Sequence, residues 1–224
     1  MISIIIPSRN EGETLLACLA ALSSLELAGE VVVAAHGEAM EICREVKRRH
    51  PDVIWVDCPR SSRGDQMNRG AAASRGGVLL FLHADTRLPG ETTLAIERAF
   101  ARPGVVGGAF RLQFDVNHPV LQILSALSWI PWRTAFFGDQ AIFCARSAFE
   151  AVGGFRDEPI LEDVEFALAL ARQGKLIRVN ASVTTSARRF VATGPGPQLA
   201  RNAALLSMHY VGVPARVLAR SYSS

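Results

Sequence analysis

Two hydrophobic periods alternate along the first half of the chain. Ile2–Pro7, Glu30–Ala35, Val53–Asp57 and Val78–Leu82 are short aliphatic or β-branched runs, the pattern of strands buried on both faces. Glu13–Leu25, Glu38–His50 and Asp65–Ala73 lie between them and repeat at helical spacing. Strand, helix, strand in succession predicts right-handed crossovers, a mostly parallel sheet and helices on both of its faces. Ligands of such α/β sheets bind where the carboxyl ends of the strands open into loops. The loops Pro7–Gly12, Ala35–Glu38, Pro59–Asp65 and His83–Pro89 therefore carry the search for function.

The second half is less regular. It predicts helices over Gly90–Ala101, His118–Ile130, Arg146–Val152 and Glu162–Gln173, the last stopped by Gly174. Strands are expected at Val105–Phe114, Gly138–Cys144, Leu176–Val179 and Ser182–Thr185, and a helical tail over Pro197–Arg220 broken at Pro214. With no internal repeat and no convincing linker, one domain over 1–224 is expected. Its parts are a regularly alternating half (1–89), a less regular half (90–196) and a helical tail (197–224).

Composition narrows the classes. The formal net charge of +3 over 224 residues is too small for a polyanion-coating protein, so no nucleic-acid partner is expected. Of the 24 basic residues only Lys47 and Lys175 are lysine. Arginine is a planar fork suited to phosphate, although a GC-rich genome gives the same bias. Cys18, Cys43, Cys58 and Cys144 form no CxxC pair, which points to a reduced, cytoplasmic protein without a cysteine metal site. The start of the chain lacks a basic n-region. The uncharged run Val116–Trp132 falls short of the roughly 20 apolar residues of a spanning helix.

Four segments can carry chemistry. Pro7-Ser8-Arg9-Asn10-Glu11 joins a strand to a helix start; its polar groups suit a ribose, base or phosphate, or simply cap the helix. His83-Ala84-Asp85 ends the strand Val78–Leu82 and sets a carboxylate at the sheet mouth. There it can hold a hard divalent cation, or cap the following helix. Arg60–Gly70, with Arg63 and Gln66, is a basic approach to a helix that suits an anion or is solvated surface. Glu162 and Asp163 open a helix after Gly153-Gly154-Phe155. Such acids serve as a general base if a substrate hydroxyl lies beside them, or merely favour a first helical turn.

In order and spacing these segments resemble glycosyltransferase family 2. The resemblance covers nearly the whole chain: Ile6–Glu11, Asn68–Gly70 with Gly76, His83–Asp85, Gly153–Phe155 and Glu162-Asp163. Within the family, Gln66–Asn68, His83–Pro89, Gly138–Gln140 and Ser186–Arg189 look most like a small soluble subgroup associated with arsenosugar biosynthesis. The resemblance implies a GT-A fold, a Rossmann-like α/β sheet. It also implies an inverting, metal-dependent transfer from a UDP- or GDP-sugar to an acceptor hydroxyl. Asp85 would hold Mn²⁺ or Mg²⁺, Asp163 would be the base, and Glu162 would stand beside it. In a nucleotide-sugar-binding half (1–89), ahead of an acceptor and catalytic half (90–196), Pro7, Ser8, Asn10 and Glu11 would frame the nucleoside, with Arg9 able to reach a phosphate and Arg63 and Gln66 at ribose or phosphate. Arg188 and Arg189 would lie on the diphosphate side, followed by the aromatic Phe190.

Two departures stand out. Many relatives end the second strand with an acid that hydrogen-bonds the base, whereas Val33-Ala34-Ala35-His36-Gly37 has none, which leaves the nucleotide open. His83 replaces the first carboxylate of the DxD-type element, and a non-ligand role for it is favoured, such as a substrate contact. On the acceptor side, Trp129, Trp132, Phe136 and Phe137 form either a pocket wall or a core or dimer contact, and Asp139 and Gln140 can hydrogen-bond an acceptor sugar. The acceptor is a small molecule or lipid-linked, which keeps a peripheral membrane position and a homodimer open. The competing classes are a catalytically inactive nucleotide-sugar binder and a nucleotidyltransferase. The latter lacks its glycine-rich loop after the first strand.

Overall fold

The computed structural model describes residues 1–25, 27–128 and 136–222. Trp129 and Trp132, expected at an acceptor wall, lie outside the described residues. In chain order the elements begin with β1 (Ile2–Arg9), α1 (Glu13–Ser23), β2 (Gly29–His36), α2 (Met40–Arg49), β3 (Ile54–Asp57) and α3 (Arg63–Ala73). Next come β4 (Val78–Phe81), β5 (Thr86–Arg87), α4 (Thr92–Phe100), β6 (Val105–Phe114) and α5 (Pro119–Leu127). After a 3-10 turn at Gly138–Gln140 follow β7 (Phe143–Ala145), α6 (Arg146–Ala151), α7 (Glu162–Gln173) and β8 (Lys175–Thr185). Helices α8 (Arg188–Thr193), α9 (Pro195–Tyr210) and α10 (Ala215–Tyr222) end the chain.

Among the described residues the strands form one eight-stranded sheet in the order β3-β2-β1-β4-β7-β6-β8-β5. The first half is parallel, as expected: β1 pairs with β2 and β4, and β2 with β3. The second half is mixed. β7 runs antiparallel to both β4 and β6, while β6 and β8 are parallel. Three expectations change here. Gly138–Cys144 is not one strand, because Ala141 takes a left-handed φ of 49° and separates the turn from β7. Leu176–Val179 and Ser182–Thr185 are one strand, with a register shift against β6. Thr86–Arg87 adds a short strand on β8 that is too brief to show a period.

Apolar clusters fill both faces of the sheet. One packs α1, α2 and α4 through Leu15, Leu19, Val46 and Ile96. The other packs α3, α6 and α7 through Met67, Phe149, Phe155 and Phe166. In the second, Phe155 stacks on Phe166 at 3.9 Å between ring centroids and meets Phe81 edge-on at 4.8 Å. All four cysteines are free thiols, and burial pushes Cys18 up to about 12 and Cys58 to about 11. The tail docks through Leu205, Ala215 and Leu218 and through His209, whose Nε2 lies 2.9 Å from a Glu165 oxygen. Among the described residues no helix is long and apolar enough to cross a membrane.

Helix α3 is the brace of the site. The Nε2 of its buried Gln66 donates to the carbonyls of Ser8 at 2.6 Å and Ala34 at 2.8 Å, tying β1 to β2 at their carboxyl ends. Asn68 exchanges two hydrogen bonds with the backbone of Phe155, at 2.9 and 2.8 Å. Gly70 packs α3 against β1, where a Cβ would stand 2.5 Å from Ile5 Cγ2. A Gly70→Ala variant is expected to lose about 1–3 kcal/mol through overpacking. A urea midpoint that falls at unchanged m-value would show it.

Candidate active site

The loops at the carboxyl ends of β1, β2 and β4 meet the start of α7 and the segment after β8. At β1, Ser8 is fully buried, Arg9 is exposed and Asn10 holds a left-handed φ of 54°, a strained conformation of the kind found at ligand sites. Neither Ser8 nor Asn10 caps α1, whose first turn has Gly12 at its N-cap and no side-chain cap bond. Ser8 Oγ instead donates to Glu38 Oε1 at 2.7 Å. The amide of Glu11 donates to that same oxygen at 2.8 Å, and the amide of Gly12 to Oε2 at 3.3 Å. A carboxylate thus does stand beside the second strand. In the sequence it lies one residue beyond Gly37, and the turn at Gly37, φ 67°, folds it back against β1. Its oxygens brace the β1–α1 loop.

Asp85 follows β4. Its Oδ2 lies 3.3 Å from Arg188 Nη2, and the same nitrogen lies 3.2 Å from Glu11 Oε2. One guanidinium therefore joins the β1 loop, the β4 loop and the start of α8. The amide of Ser186 donates to the Asp85 carbonyl at 3.1 Å, which holds the same loops together through the backbone.

Asp163 and Glu162 start α7 from Leu161, a non-glycine residue at φ 61°. That backbone is costly for leucine, and it directs the two acids apart. Glu162 turns inward: it is buried and reaches Arg63 Nη1 at 3.3 Å. Burial raises its pKa, and the neighbouring Asp163 adds to the shift while Arg63 opposes it. Asp163 faces the mouth. Its Oδ1 accepts from the Val164 amide at 2.8 Å and its Oδ2 from the Gly138 amide at 2.5 Å, which aims the carboxylate and leaves lone pairs for a substrate.

The turn at Gly138–Gln140 completes the floor. A Cβ on Gly138 would meet His83 Nε2 at 2.7 Å and Asp163 Oδ2 at 3.2 Å, so only glycine lets the three groups close up. Burial lowers the pKa of His83 well below its ordinary value, and the Arg63 and Arg189 charges lower it further. The imidazole is therefore neutral at pH 7. Asp139 is pushed the other way, to about 7, first by burial and then by the charges of Asp163 and Asp85, with Arg178 and Arg189 opposing. Gln140 is buried; its Oε1 accepts from the Phe137 amide at 3.2 Å and from Arg178 Nη1. Arg178 in turn covers the Phe136 ring at 4.7 Å.

The structure thus brings Glu11, Asp85 and Arg188 together on one side. Asp163, Asp139, His83, Glu162 and Arg63 gather on the other, with Arg189 acting on both His83 and Asp139. Gln66 and Gln140, expected to touch substrate, are spent inside the fold as braces. Among the described residues no group of three or more His, Cys, Asp or Glu is arranged to hold a metal. Asp85 alone is a modest donor, yet Mg²⁺-like ions are often held by one or two carboxylates, with water and substrate phosphates completing the shell. The donor set fits a metal brought in with a diphosphate.

A mixed sheet with nucleotide-type loops at its carboxyl edge and two acids opening a helix across from them defines a GT-A glycosyltransferase fold. The family model described as glycosyl transferase family 2 matches residues 3–154, and the chain belongs to that family. No curated protein matches the sequence. Among solved structures, the fold is similar to that of a mannosyltransferase from Pyrobaculum calidifontis in complex with GDP-Man and Mn²⁺. That pair has a TM-score of 0.68 and 18% identity over 82% of this chain and 56% of the other. Residues 1–349 of TarS from S. aureus, in complex with UDP, give a TM-score of 0.63 at 11% identity, covering 83% and 60%. GalNAc-T7 with UDP, GalNAc and Mn²⁺ gives 0.65 at 15%, covering 83% and 43%. The chain thus spans a little over half the length of the mannosyltransferase.

Proposed function

We propose that the protein transfers a sugar from a nucleoside-diphosphate sugar to an acceptor hydroxyl with inversion at the anomeric carbon. The observation that carries this reading is that Gly138 sits between Asp163 Oδ2, which accepts its amide at 2.5 Å, and His83, two residues before Asp85, so the acid in the first turn of α7 meets the segment after β4 across one turn. Asp163 takes the acceptor proton as the hydroxyl attacks, and its two N–H bonds hold it on line for that step. Pro7, Ser8, Asn10 and Glu11 border the nucleoside. Arg188 and Arg189, with Arg63 deeper in the site, face the diphosphate and offset the charge that grows on the leaving group. Asp85 would hold Mn²⁺ or Mg²⁺, which supplies Lewis-acid stabilisation of that leaving group.

The donors bound by the structural neighbours, GDP-Man and UDP, support a GDP- or UDP-sugar. The motifs at Gln66–Asn68, Gly138–Gln140 and Ser186–Arg189 support the arsenosugar subgroup. The acceptor is a small molecule or is lipid-linked. The test is a thermal-shift screen of GDP- and UDP-sugars with Mn²⁺, in which a donor at 100 times its Kd adds about 2.7 kcal/mol to the native state. A donor that raises the melting temperature and is then turned over supports the reading. A donor that binds and is never consumed identifies an inactive binder. Silence across the panel removes the transferase reading.

A further inference from the structure

The transfer step makes no use of Asp139, whose surroundings are unusual. The Oδ1 atom is buried and, among the described residues, has no hydrogen-bond partner. Buried polar atoms are almost always paired, and an exception in a cleft asks for a ligand. Its backbone is clamped on both sides. Gly138 is bound to Asp163 through its amide, and Gln140 is held by Phe137 and Arg178. Ala141 closes the turn in a left-handed conformation. The side chain has little freedom to seek a partner elsewhere.

We infer that Asp139 is an acceptor-binding residue: its buried, unpaired Oδ1 hydrogen-bonds an acceptor hydroxyl adjacent to the attacking one, and so selects acceptors with vicinal oxygens. The inference rests on the transferase reading and names the acceptor class that the reading leaves open. Asp163, one residue contact away through Gly138, receives the attacking hydroxyl. A second oxygen on the neighbouring carbon then falls toward Asp139. Four charged groups face it: Asp163 from α7, Asp85 from the β4–β5 loop, Arg178 from β8 and Arg189 from α8. Burial and the two acids push its pKa up to about 7 while the arginines oppose them, so both protonation states are populated near neutral pH. In either state the unpaired Oδ1 is satisfied by a hydroxyl, which can donate to it or accept from it, and a polyol provides one.

The experiment uses surrogate acceptors, with the wild-type chain, Mn²⁺ and GDP-mannose or UDP-GalNAc as donor. Product from glycerol, a vicinal triol, is compared with product from ethanol at equal concentration, each divided by the number of hydroxyls the alcohol offers. The wild type should favour glycerol by about 5-fold or more, the cost of leaving a buried polar atom unpaired. Asp139→Asn keeps a hydrogen-bonding oxygen, with an N–H donor beside it, in the same place and should retain that preference. Asp139→Ala should bring the two alcohols within about 2-fold of each other while leaving donor affinity unchanged. A wild type indifferent to the two alcohols, or an Asp139→Ala variant that keeps the preference, overturns the inference and leaves the transferase reading intact. Absence of any product from every donor is a failure of the transferase reading itself, and the inference falls with it.

Discussion

Asp163→Asn lowers sugar transfer by about 10²–10⁴-fold, the range general bases contribute, while nucleotide affinity stays within about 2-fold of wild type. The separation of the two effects is what the geometry demands. Asp163 approaches from α7 and is bound by the Gly138 and Val164 amides, whereas the nucleoside side of the site is built on β1 and the loop held by Glu38. The asparagine oxygen still accepts one of the two N–H bonds, and the amide nitrogen leaves the other donor unsatisfied. A stability loss of about 1–3 kcal/mol accompanies the activity loss and is read separately by urea unfolding. Transfer rates with donor and acceptor both saturating, set beside calorimetry with the nucleoside diphosphate, make the comparison. A variant that turns over normally moves the base to Glu162. That outcome would be hard to reconcile with a side chain 5% exposed and engaged by Arg63.

Much of this site was legible in the sequence because its motifs obey local rules. Strands β1, β2 and β4 announce themselves as apolar runs, and the acids at 162 and 163 mark the first turn of α7 within a residue. What stayed hidden depends on contacts across the chain. Gln66 and Gln140 look like substrate ligands in one dimension; only the fold shows Gln66 bonded to Ser8 and Ala34, 58 and 32 residues away. Glu38 escaped because a glycine turn carries it back to β1. The strand expected over Gly138–Cys144 failed for a related reason. Asp163 binds the Gly138 amide and His83 packs against its Cα, so tertiary contacts with residues 25 and 55 positions off override an apolar pattern that reads as β. Asn68 and Gly70 are the converse case. They read as parts of a family motif, and the structure gives each a packing reason, one holding Phe155 and the other admitting α3 to β1.

Asp85→Asn removes the metal-dependent part of nucleotide binding. In the wild type, Mn²⁺ should tighten nucleoside diphosphate by roughly 5–150-fold, the usual span of a coupling between two ligands. In the variant, affinities with and without Mn²⁺ should coincide. Arg188 supplies the physical reason for strong coupling. Its guanidinium sits 3.3 Å from the same carboxylate oxygen that the cation needs and 3.2 Å from Glu11. A divalent ion arriving alone must displace a positive charge and gains one carboxylate for it. An ion arriving with a diphosphate gives Arg188 a new anion to pair with, so both cations are satisfied. Mn²⁺ alone should therefore bind weakly to wild type and more tightly to Arg188→Ala, with the free ion counted by electron paramagnetic resonance. The diphosphate should bind that variant less well. Because Arg188 is about half exposed, solvent screens its pairs and the gain in Mn²⁺ affinity is modest. Equal diphosphate affinity for wild type in Mn²⁺ and in chelator would take Asp85 out of the metal role. The arginines around the diphosphate would then carry the leaving-group charge alone.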